Sequence, residues 1–286
     1  MVHQLTHRLN FLLKYNIFVR QFATMLHGLA TSSPYVTIVP TLSDNYAYIL
    51  KNPESNSSLC IDPAEADKVV HLANQNKLIL EACLCTHKHY DHSGGNEKIK
   101  KLVPGIKVYG SSYEPIPGLT NKVSDNDTYE IAGFNVKCIR AECHTIGHIM
   151  YYVTHKNFKE PIIFTGDTIF IAGCGRFFEG NAKKMLEITN NFKRLPPETL
   201  VYCGHEYTVK NLKFTNELEN GSNPNVLHAL DIAMKLRCED KPTVPSTIAQ
   251  ELLHNPFLRV SELKRLFGDV SDEDAMKKIR QMKDVY

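Results

Sequence analysis

Short apolar runs separated by turn residues dominate the chain from Tyr35 onward. Residues 64–76 place Val69, Val70 and Leu72 among charged residues, which predicts a helix. Runs of strand length, bounded by turn residues, occupy residues 36–39, 47–50, 58–62 and 79–85. This part of the chain therefore predicts a β-meander that leads through one helix into a further strand.

The same alternation continues through the middle of the chain. A helix is predicted over residues 95–102, and strands are predicted over residues 107–110, 134–139, 161–167 and 200–203. Strands on both sides of helices, with several hairpins, predict a layered sheet-and-helix fold rather than a helical bundle.

Composition narrows the class of protein. The chain has 286 residues, 43% of them hydrophobic and 22% charged, which is typical of a globular protein with one sizeable core and a smaller second unit. A formal net charge of +2 gives no reason to expect a nucleic-acid partner, since such partners usually need a concentrated basic face. No run of about 18 apolar residues is present, so we expect no membrane span.

The first 34 residues differ from the rest. They contain Lys14, Arg8, Arg20 and several histidines but no acidic residue, and their leucines could form an apolar helical face. This composition predicts a mitochondrial targeting segment, with matrix localisation. An ordinary disordered terminus is the alternative. Met25 offers a second start that would give a shorter cytosolic form.

The eight cysteines show no pattern of a small secreted domain, and several lie inside apolar runs. We expect reduced, buried side chains in an intracellular protein.

The most informative stretch is Thr86–Gly95, with the sequence THKHYDHSGG. His87 and His89 are two positions apart, so an extended backbone points both rings to one side. Asp91 and His92 follow on a turn. Imidazole and carboxylate groups suit Zn²⁺ or Fe²⁺, and four of them within so short a stretch could serve two ions. A solvated loop that happens to be rich in histidine is the alternative.

This stretch resembles the THxHxDHxGG signature of the metallo-β-lactamase superfamily. The resemblance implies an α+β fold, a four-layer αββα sandwich with a dinuclear metal site at one edge. It does not by itself choose among lactamases, nucleases, thioester hydrolases and dioxygenases.

Further motifs of the superfamily are matched at other strand ends. Residues 144–148 resemble HTxGH, which implies that His144 is a ligand and that His148 supports it or is structural. Glu142 stands where relatives usually have Pro, and it is either a hydrogen-bond partner for an imidazole or a solvated side chain. Asp167 ends a buried-type strand, where a lone carboxylate would be costly, and TGDT resembles the bridging-aspartate motif. His205 follows the last strand.

The resemblance implies a complete ligand set for two divalent ions, most favourably Zn²⁺, with Fe²⁺ or Mn²⁺ as alternatives. One ion takes His87, His89 and His144, the other takes Asp91, His92 and His205, and Asp167 is shared. Asp91 and Asp167 are then the expected catalytic residues, acting as metal ligands and not as independent bases.

Several further segments are similar to the hydroxyacylglutathione hydrolase (glyoxalase II) family, and the match runs from about Val36 to Asp284, including a small C-terminal helical domain. They include AGCGRFFEG at 172–180 and YCGHEYT at 202–208. The positions that match the family's glutathione contacts are Arg176, Phe177, Phe178, Tyr207, Arg280 and Lys283.

Simple chemistry agrees with that transfer. Glutathione carries two carboxylates, which cations bind through charge-assisted hydrogen bonds. Arg280 and Lys283 are three apart on a final helix that we expect to begin after an N-cap at Ser271. A basic last turn that only complements the helix dipole is the alternative. Arg176 replaces the usual Lys, and Phe178 replaces the usual Tyr and so lacks one hydroxyl.

The family resemblance predicts a catalytic domain over residues 35–206 and a helical glutathione-binding domain over residues 207–286, which follow the targeting segment predicted from composition over residues 1–34. It implies hydrolysis of S-D-lactoylglutathione to D-lactate and glutathione, the second step of methylglyoxal detoxification. Two cations would lower the pKa of a bridging water toward ~7, and the hydroxide would attack the thioester. A hydrolase for another acyl-thioester and a non-catalytic metal-holding module are the alternatives. We expect a monomer.

Overall fold

The computed structural model describes residues 32–286, and a six-stranded sheet forms the first half. Its strands lie in chain order: β1 Val36–Thr41, β2 Asn45–Lys51, β3 Ser57–Ile61, β4 Ile79–Leu84, β5 Lys107–Ser111 and β6 Asn121–Val123. The first three strands are antiparallel neighbours, and β3 to β6 pair in parallel. The predicted meander is confirmed.

A second six-stranded sheet packs against the first. Its strands are β7 Thr128–Ile131, β8 Phe134–Arg140, β9 Ile149–Thr154, β10 Ile162–Gly166, β13 Leu200–Cys203 and β14 Ser246–Thr247, in the order 14-13-10-9-8-7. A separate hairpin joins β11 Ile169–Phe170 to β12 Gly173–Cys174. The last strand, β14, comes from the C-terminal part of the chain, so that part completes the second sheet.

Helices cover the sheets and form the C-terminal part. They are α1 Ala66–Gln75, α2 Tyr90–Ser93, α3 Asn96–Leu102, α4 Ala182–Phe192, α5 Thr208–Leu218, α6 Pro224–Cys238, α7 Ile248–His254, α8 Val260–Leu263, a 3₁₀ turn Lys264–Phe267, and α9 Asp272–Asp284. The predicted helices over 64–76 and 95–102 correspond to α1 and α3. The N-cap expected at Ser271 is confirmed, because its side chain accepts a hydrogen bond from the Asp274 amide at 3.1 Å.

The buried clusters account for the layers. Val69 of α1 and Ile99 of α3 are fully buried against one face of the first sheet. Tyr48, Phe164 and many other large side chains fill the space between the two sheets, and residues of α4 and α9 join that same cluster. The predicted α+β four-layer αββα sandwich with C-terminal helices is confirmed.

Two expectations from composition have mixed outcomes. Seven of the eight cysteines are buried free thiols, but Cys238 is exposed, so the expectation of burial is wrong for that residue. It lies at the last position of α6. Within residues 32–286 no helix is long and apolar enough to cross a membrane. Residues 1–31 of the predicted targeting segment, including Met25, lie outside the described part of the chain.

Candidate metal centre

The candidate ligands follow the ends of four strands. His87 lies just beyond β4, His144 beyond β8, Asp167 beyond β10 and His205 beyond β13. Strands β10 and β13 are parallel, with Gly166 opposite Cys203, so Asp167 and His205 leave the sheet side by side. The Ile149 amide donates to the Thr86 carbonyl at 2.9 Å and joins the two sheets at this edge.

Three imidazoles form the first group. His89 Nδ1 lies 3.0 Å from both His87 Nε2 and His144 Nε2. His87 and His144 are buried, and His89 is half-buried at the mouth of the site. The three rings therefore turn one nitrogen each toward a common point.

A carboxylate and two imidazoles form the second group. His205 Nε2 lies 3.3 Å from both Asp91 Oδ2 and His92 Nε2, and the Asp91 and His92 atoms are 3.4 Å apart. Asn45 Nδ2 donates to Asp91 Oδ2 at 2.8 Å and holds that carboxylate in place. This group again turns its donor atoms inward.

Asp167 joins the two groups. Its Oδ2 lies 3.4 Å from His144 Nε2 and 3.3 Å from His205 Nε2, and its Oδ1 lies 3.2 Å from His92 Nε2. Oδ1 is buried but makes no hydrogen bond of acceptable geometry with any part of residues 32–286. A buried carboxylate oxygen without a hydrogen bond is costly, and a cation would satisfy it.

The separations fit metal coordination. A tetrahedral ion with bonds of about 2.0–2.1 Å keeps its ligand atoms about 3.3–3.4 Å apart. The three pairs of donor atoms in the second group are separated by 3.3 to 3.4 Å, and His89 Nδ1 in the first group lies 3.0 Å from each of its two partners. Gly204 keeps the space open, because a Cβ there would lie 2.4 Å from Asp167 Oδ1. The seven side chains can therefore hold two divalent ions that share Asp167.

Hydrogen bonds on the outer side fix the orientation of most of the imidazoles. A carboxylate can only accept, so the nitrogen facing it carries the proton and the other nitrogen is free for a metal. The partners are Asp62 Oδ2 for His92 Nδ1 at 2.9 Å, Asp44 Oδ1 for His205 Nδ1 at 2.8 Å, the Arg176 carbonyl for His144 Nδ1 at 3.1 Å and Thr86 Oγ1 for His87 Nδ1 at 3.1 Å. These partners were not identified from the sequence.

The pKa values divide the histidines into two kinds. Burial, then the neighbouring His92, holds the pKa of His87 well below its usual range, and burial likewise lowers the pKa of His144. Burial opposes charge on His92 and His205 too, but the carboxylates around them together outweigh it: Asp167 and Asp62 raise the pKa of His92 strongly, and Asp167 and Asp91 raise that of His205 to about 10. The carboxylates around Asp167 thus stabilise positive charge in this pocket, and divalent ions would supply that charge.

Two other sequence expectations concern His148 and Glu142. His148 Nε2 accepts a hydrogen bond from the Asp167 amide at 3.1 Å, and its Nδ1 lies 3.0 Å from Thr168 Oγ1, so both ring nitrogens are engaged and the residue supports Asp167. Glu142 pairs with Arg140 at 2.8 Å and with Lys184, so it is not the partner of an imidazole.

An open cavity of about 450 Å³ leads from the ligand groups to the C-terminal helices. Of the predicted glutathione contacts, Arg176, Phe178, Tyr207, Arg280 and Lys283 line it, together with Asp91 and Asp167. Phe177 lines a neighbouring hollow beside the start of α4 and not this cavity. The sequence interpretation missed Lys210 and Asn211, which also line it and lie one turn beyond Tyr207 on α5.

The aromatic walls lie directly over the imidazoles. The Tyr207 ring stacks on His205 with centroids 4.7 Å apart, and the Phe178 ring lies 5.1 Å from that of His144. Phe178 is 59% exposed and so forms part of the rim.

Cationic side chains from α9, from α5 and from the loop after β12 form one wall of the cavity. Arg280 is buried and donates from Nη1 to the Cys174 carbonyl at 2.8 Å. Lys283 Nζ donates to the Lys210 carbonyl at 3.3 Å, and burial, then Lys210 and Arg280, lowers its pKa to about 8. Arg176 is exposed beside Asp284, with Nε 3.5 Å from its Oδ1. The wall opposite the ligand groups is therefore suited to anions.

The fold and the paired ligand groups define a protein of the metallo-β-lactamase superfamily. The sequence profile of that superfamily matches residues 72–205. The crystal structure of ETHE1 from Myxococcus xanthus superposes with a TM-score of 0.61 over 86% of this chain and 89% of that chain, at 21% identity. At that identity the likeness concerns the fold alone.

The particular family follows from closer relatives. The cytoplasmic hydroxyacylglutathione hydrolase of Arabidopsis thaliana is 43% identical over 250 residues, covering 86% of this chain and 96% of the relative. The hydroxyacylglutathione hydrolase of Aliivibrio salmonicida (strain LFI1238) is 41% identical over 224 residues, covering 78% and 86%. The profile named Hydroxyacylglutathione hydrolase C-terminus matches residues 206–286. The chain belongs to the hydroxyacylglutathione hydrolase family.

Proposed function

We propose that this protein hydrolyses S-D-lactoylglutathione and related 2-hydroxyacyl-glutathione thioesters to the free acid and glutathione. The observation that carries the proposal is one cavity with two different walls. Two ligand groups joined by Asp167 form one wall, and Arg176, Lys210 and Lys283 supply cations on the other. A thioester whose leaving group carries two carboxylates fits both walls at once.

We infer that His87, His89 and His144 hold one divalent ion, that Asp91, His92 and His205 hold the other, and that Asp167 is shared. Two groupings of donor atoms within 4.8 Å of one another support this division, since one contains His87, His89 and His144 and the other contains Asp91, His92 and His205. A third grouping, of His87, His92 and Asp167, connects the two. Bound there, the ions would lower the pKa of water and polarise the thioester carbonyl. Nitrogen and oxygen ligands accept Zn²⁺, Fe²⁺ and Mn²⁺, and we propose Zn²⁺.

The side chains of the chain have three tasks in this proposal. The cationic wall binds the carboxylates of glutathione and aims the thioester at the ligand groups. Tyr207 and Phe178 place aromatic rings beside the imidazoles and supply apolar surface along the path of the thioester. Water contributes a hydroxyl group to the acyl carbon and a proton to the departing sulfur, and a thiolate needs no strong protein acid to leave.

Steady-state kinetics on S-D-lactoylglutathione, with elemental analysis of the same sample, test the proposal. We expect two metal ions per chain and rapid turnover, and we expect His87→Ala to lose both metal and activity. A metal-loaded protein that fails to hydrolyse this thioester while His87→Ala behaves like wild type would refute it. Faster hydrolysis of coenzyme A thioesters than of glutathione thioesters would favour a different acyl-thioester substrate, which the missing hydroxyl at Phe178 makes the second candidate.

Three further proposals concern the organisation of the protein. A catalytic unit over residues 35–206 and a helical unit over residues 207–286 agree with the boundary between the two matching profiles. A mitochondrial role for residues 1–34 is supported by their basic, acid-free composition. A reporter fused to these residues that stayed wholly cytosolic would remove it. We also propose a monomer without a nucleic-acid partner, which light scattering with and without DNA would check.

A further inference from the structure

The β11–β12 hairpin, Ile169–Cys174, occupies a special place in the chain. It begins two residues after Asp167 and ends two residues before Arg176. The Arg176 carbonyl accepts the outer hydrogen bond of His144 at 3.1 Å. A shift of this hairpin would therefore move Asp167, which touches both ligand groups, and the oxygen that orients His144.

Side chains of the C-terminal helices hold the backbone of this hairpin. Glu251 lies in the first turn of α7 and Asn255 follows the last residue of that helix, Asn211 comes from α5, and Arg280 comes from α9. Asn255 Nδ2 donates to the carbonyls of Phe170 at 3.2 Å and Gly173 at 3.0 Å. Asn211 Nδ2 donates to the Ile171 carbonyl at 3.0 Å, and Arg280 Nη1 donates to the Cys174 carbonyl at 2.8 Å. Glu251 Oε2 accepts from the Ala172 amide at 2.8 Å. Each residue from 170 to 174 is thus held by the helical unit.

The holding side chains are themselves fixed. Asn255 and Glu251 are fully buried, and Asn255 Nδ2 also donates to Glu251 Oε2 at 2.9 Å. The other oxygen of Glu251 accepts from Ser246 Oγ at 2.6 Å and lies 3.0 Å from His254 Nε2. The Phe257 amide donates to Asn255 Oδ1 at 3.1 Å. Every partner in this network is buried, so moving the hairpin would leave backbone groups unsatisfied.

We propose that Asn255, supported by Glu251 and Asn211, is a positioning residue for the metal ligands Asp167 and His144. The C-terminal helical unit then does more than contribute to the substrate cavity, since it sets the geometry of the ligand groups through the hairpin. The inference rests on the proposed metal site, and it concerns metal binding itself, which is measured independently of thioester hydrolysis.

Cobalt(II) binding to the full chain tests this inference. Asn255→Ala removes both donations to the hairpin, and Asn223→Ala is the matched control. Asn223 donates to the Leu253 carbonyl at 3.2 Å and caps α6, but it makes no hydrogen bond to the hairpin. Chelator competition measures the affinity for each ion, the visible spectrum of the cobalt form reports ligand geometry, and thermal unfolding monitors stability.

We expect Asn255→Ala to weaken binding of at least one Co²⁺ ion by about 10-fold and to change the visible bands, since groups that orient ligands act at this scale. The control should lose stability only. Asn211→Ala, which removes one donation, should shift both readouts less and in the same direction, and it decides the matter if Asn255→Ala does not fold. Cobalt affinities and spectra equal to the control would overturn the inference. Wild type that binds two Co²⁺ ions without hydrolysing lactoylglutathione would instead refute the proposed function alone.

Discussion

Asp62 offers the sharpest test of the metal centre, because one buried carboxylate lies behind a ligand of each ion. Asp62 Oδ2 accepts from His92 Nδ1 at 2.9 Å and from Thr86 Oγ1 at 2.7 Å, and Oδ1 accepts from the Thr86 amide at 2.7 Å. Since the Thr86 hydroxyl donates to Asp62, it can only accept from His87 Nδ1, 3.1 Å away. Asp62 therefore leaves Nε2 of both imidazoles free for metal.

The substitution Asp62→Asn perturbs this arrangement with little change in shape. Asp62 has a φ of 47°, a left-handed conformation that Asn also tolerates, so backbone strain is not added. The amide oxygen can still accept from the Thr86 amide, but the NH₂ group then faces Thr86 Oγ1 and His92 Nδ1. His92 must turn its proton to Nε2 or lose its hydrogen bond. Losing the charge-assisted bond costs about 1.5–3 kcal/mol.

We expect Asp62→Asn to weaken binding of the ion held by Asp91, His92 and His205 by about 10- to 100-fold, which corresponds to about 1.4–2.7 kcal/mol of binding free energy. Binding of the ion held by His87 should weaken less, because Asp62 reaches His87 only indirectly, through the Thr86 hydroxyl. Metal titration with competing chelator measures both affinities, and turnover should fall in parallel with occupancy of the weaker site.

Asp127→Asn is the matched control, because Asp127 also accepts from a backbone amide, that of Ser124 at 2.8 Å, and from a hydroxyl, that of Tyr129 at 2.9 Å. It should leave metal binding unchanged. If Asp62→Asn binds two ions with the affinity of the control, the reasoning about imidazole orientation is wrong.

Three further predictions follow from the cavity and the thiols. Lys283, with its pKa lowered to about 8 by burial, then by Lys210 and Arg280, loses its positive charge as pH rises through that value, so kcat/KM for anionic glutathione thioesters should fall above about pH 8. Phe178→Tyr, which adds a hydroxyl to a half-exposed ring at the rim, should lower KM several-fold, or about 1 kcal/mol. Cys238 is the exposed thiol among eight, so a thiol reagent should label one group rapidly in the native protein and all eight after unfolding.

Each of these predictions has its own control. Lys283→Arg keeps its charge and should remove the decline above pH 8, so a decline that persists in that variant would assign it to another group. An unchanged KM in Phe178→Tyr would mean that the ring does not contact glutathione. Cys238→Ser should abolish the rapid thiol labelling, and residual labelling would place a second thiol at the surface.

Local pattern was sufficient for the elements and for most of the ligand groups. Strands β1 to β4 and helices α1 and α3 follow directly from apolar spacing, because a side chain that must be buried repeats every second residue in a strand and every third or fourth in a helix. His87, His89, Asp91 and His92 lie within one short stretch, so their proximity needed no tertiary information.

Local pattern was insufficient wherever the partner lies far away in the chain. Asp62 supports His92 from 30 residues away and Asp44 supports His205 from 161, and neither belongs to a recognisable motif. The same holds for Phe177, which lines the neighbouring hollow but not the metal cavity, whereas Phe178 lines both.

The sequence by itself determined which side chains can bind metal and anions, because these are properties of chemical groups and their local spacing. Only the tertiary structure decided which nitrogen is free in most of the imidazoles and which cations share the cavity. It also decided that Asn255 and Glu251 hold the hairpin beside Asp167. These features depend on hydrogen bonds between distant segments, and such bonds are set by how the sheets and the C-terminal helices pack.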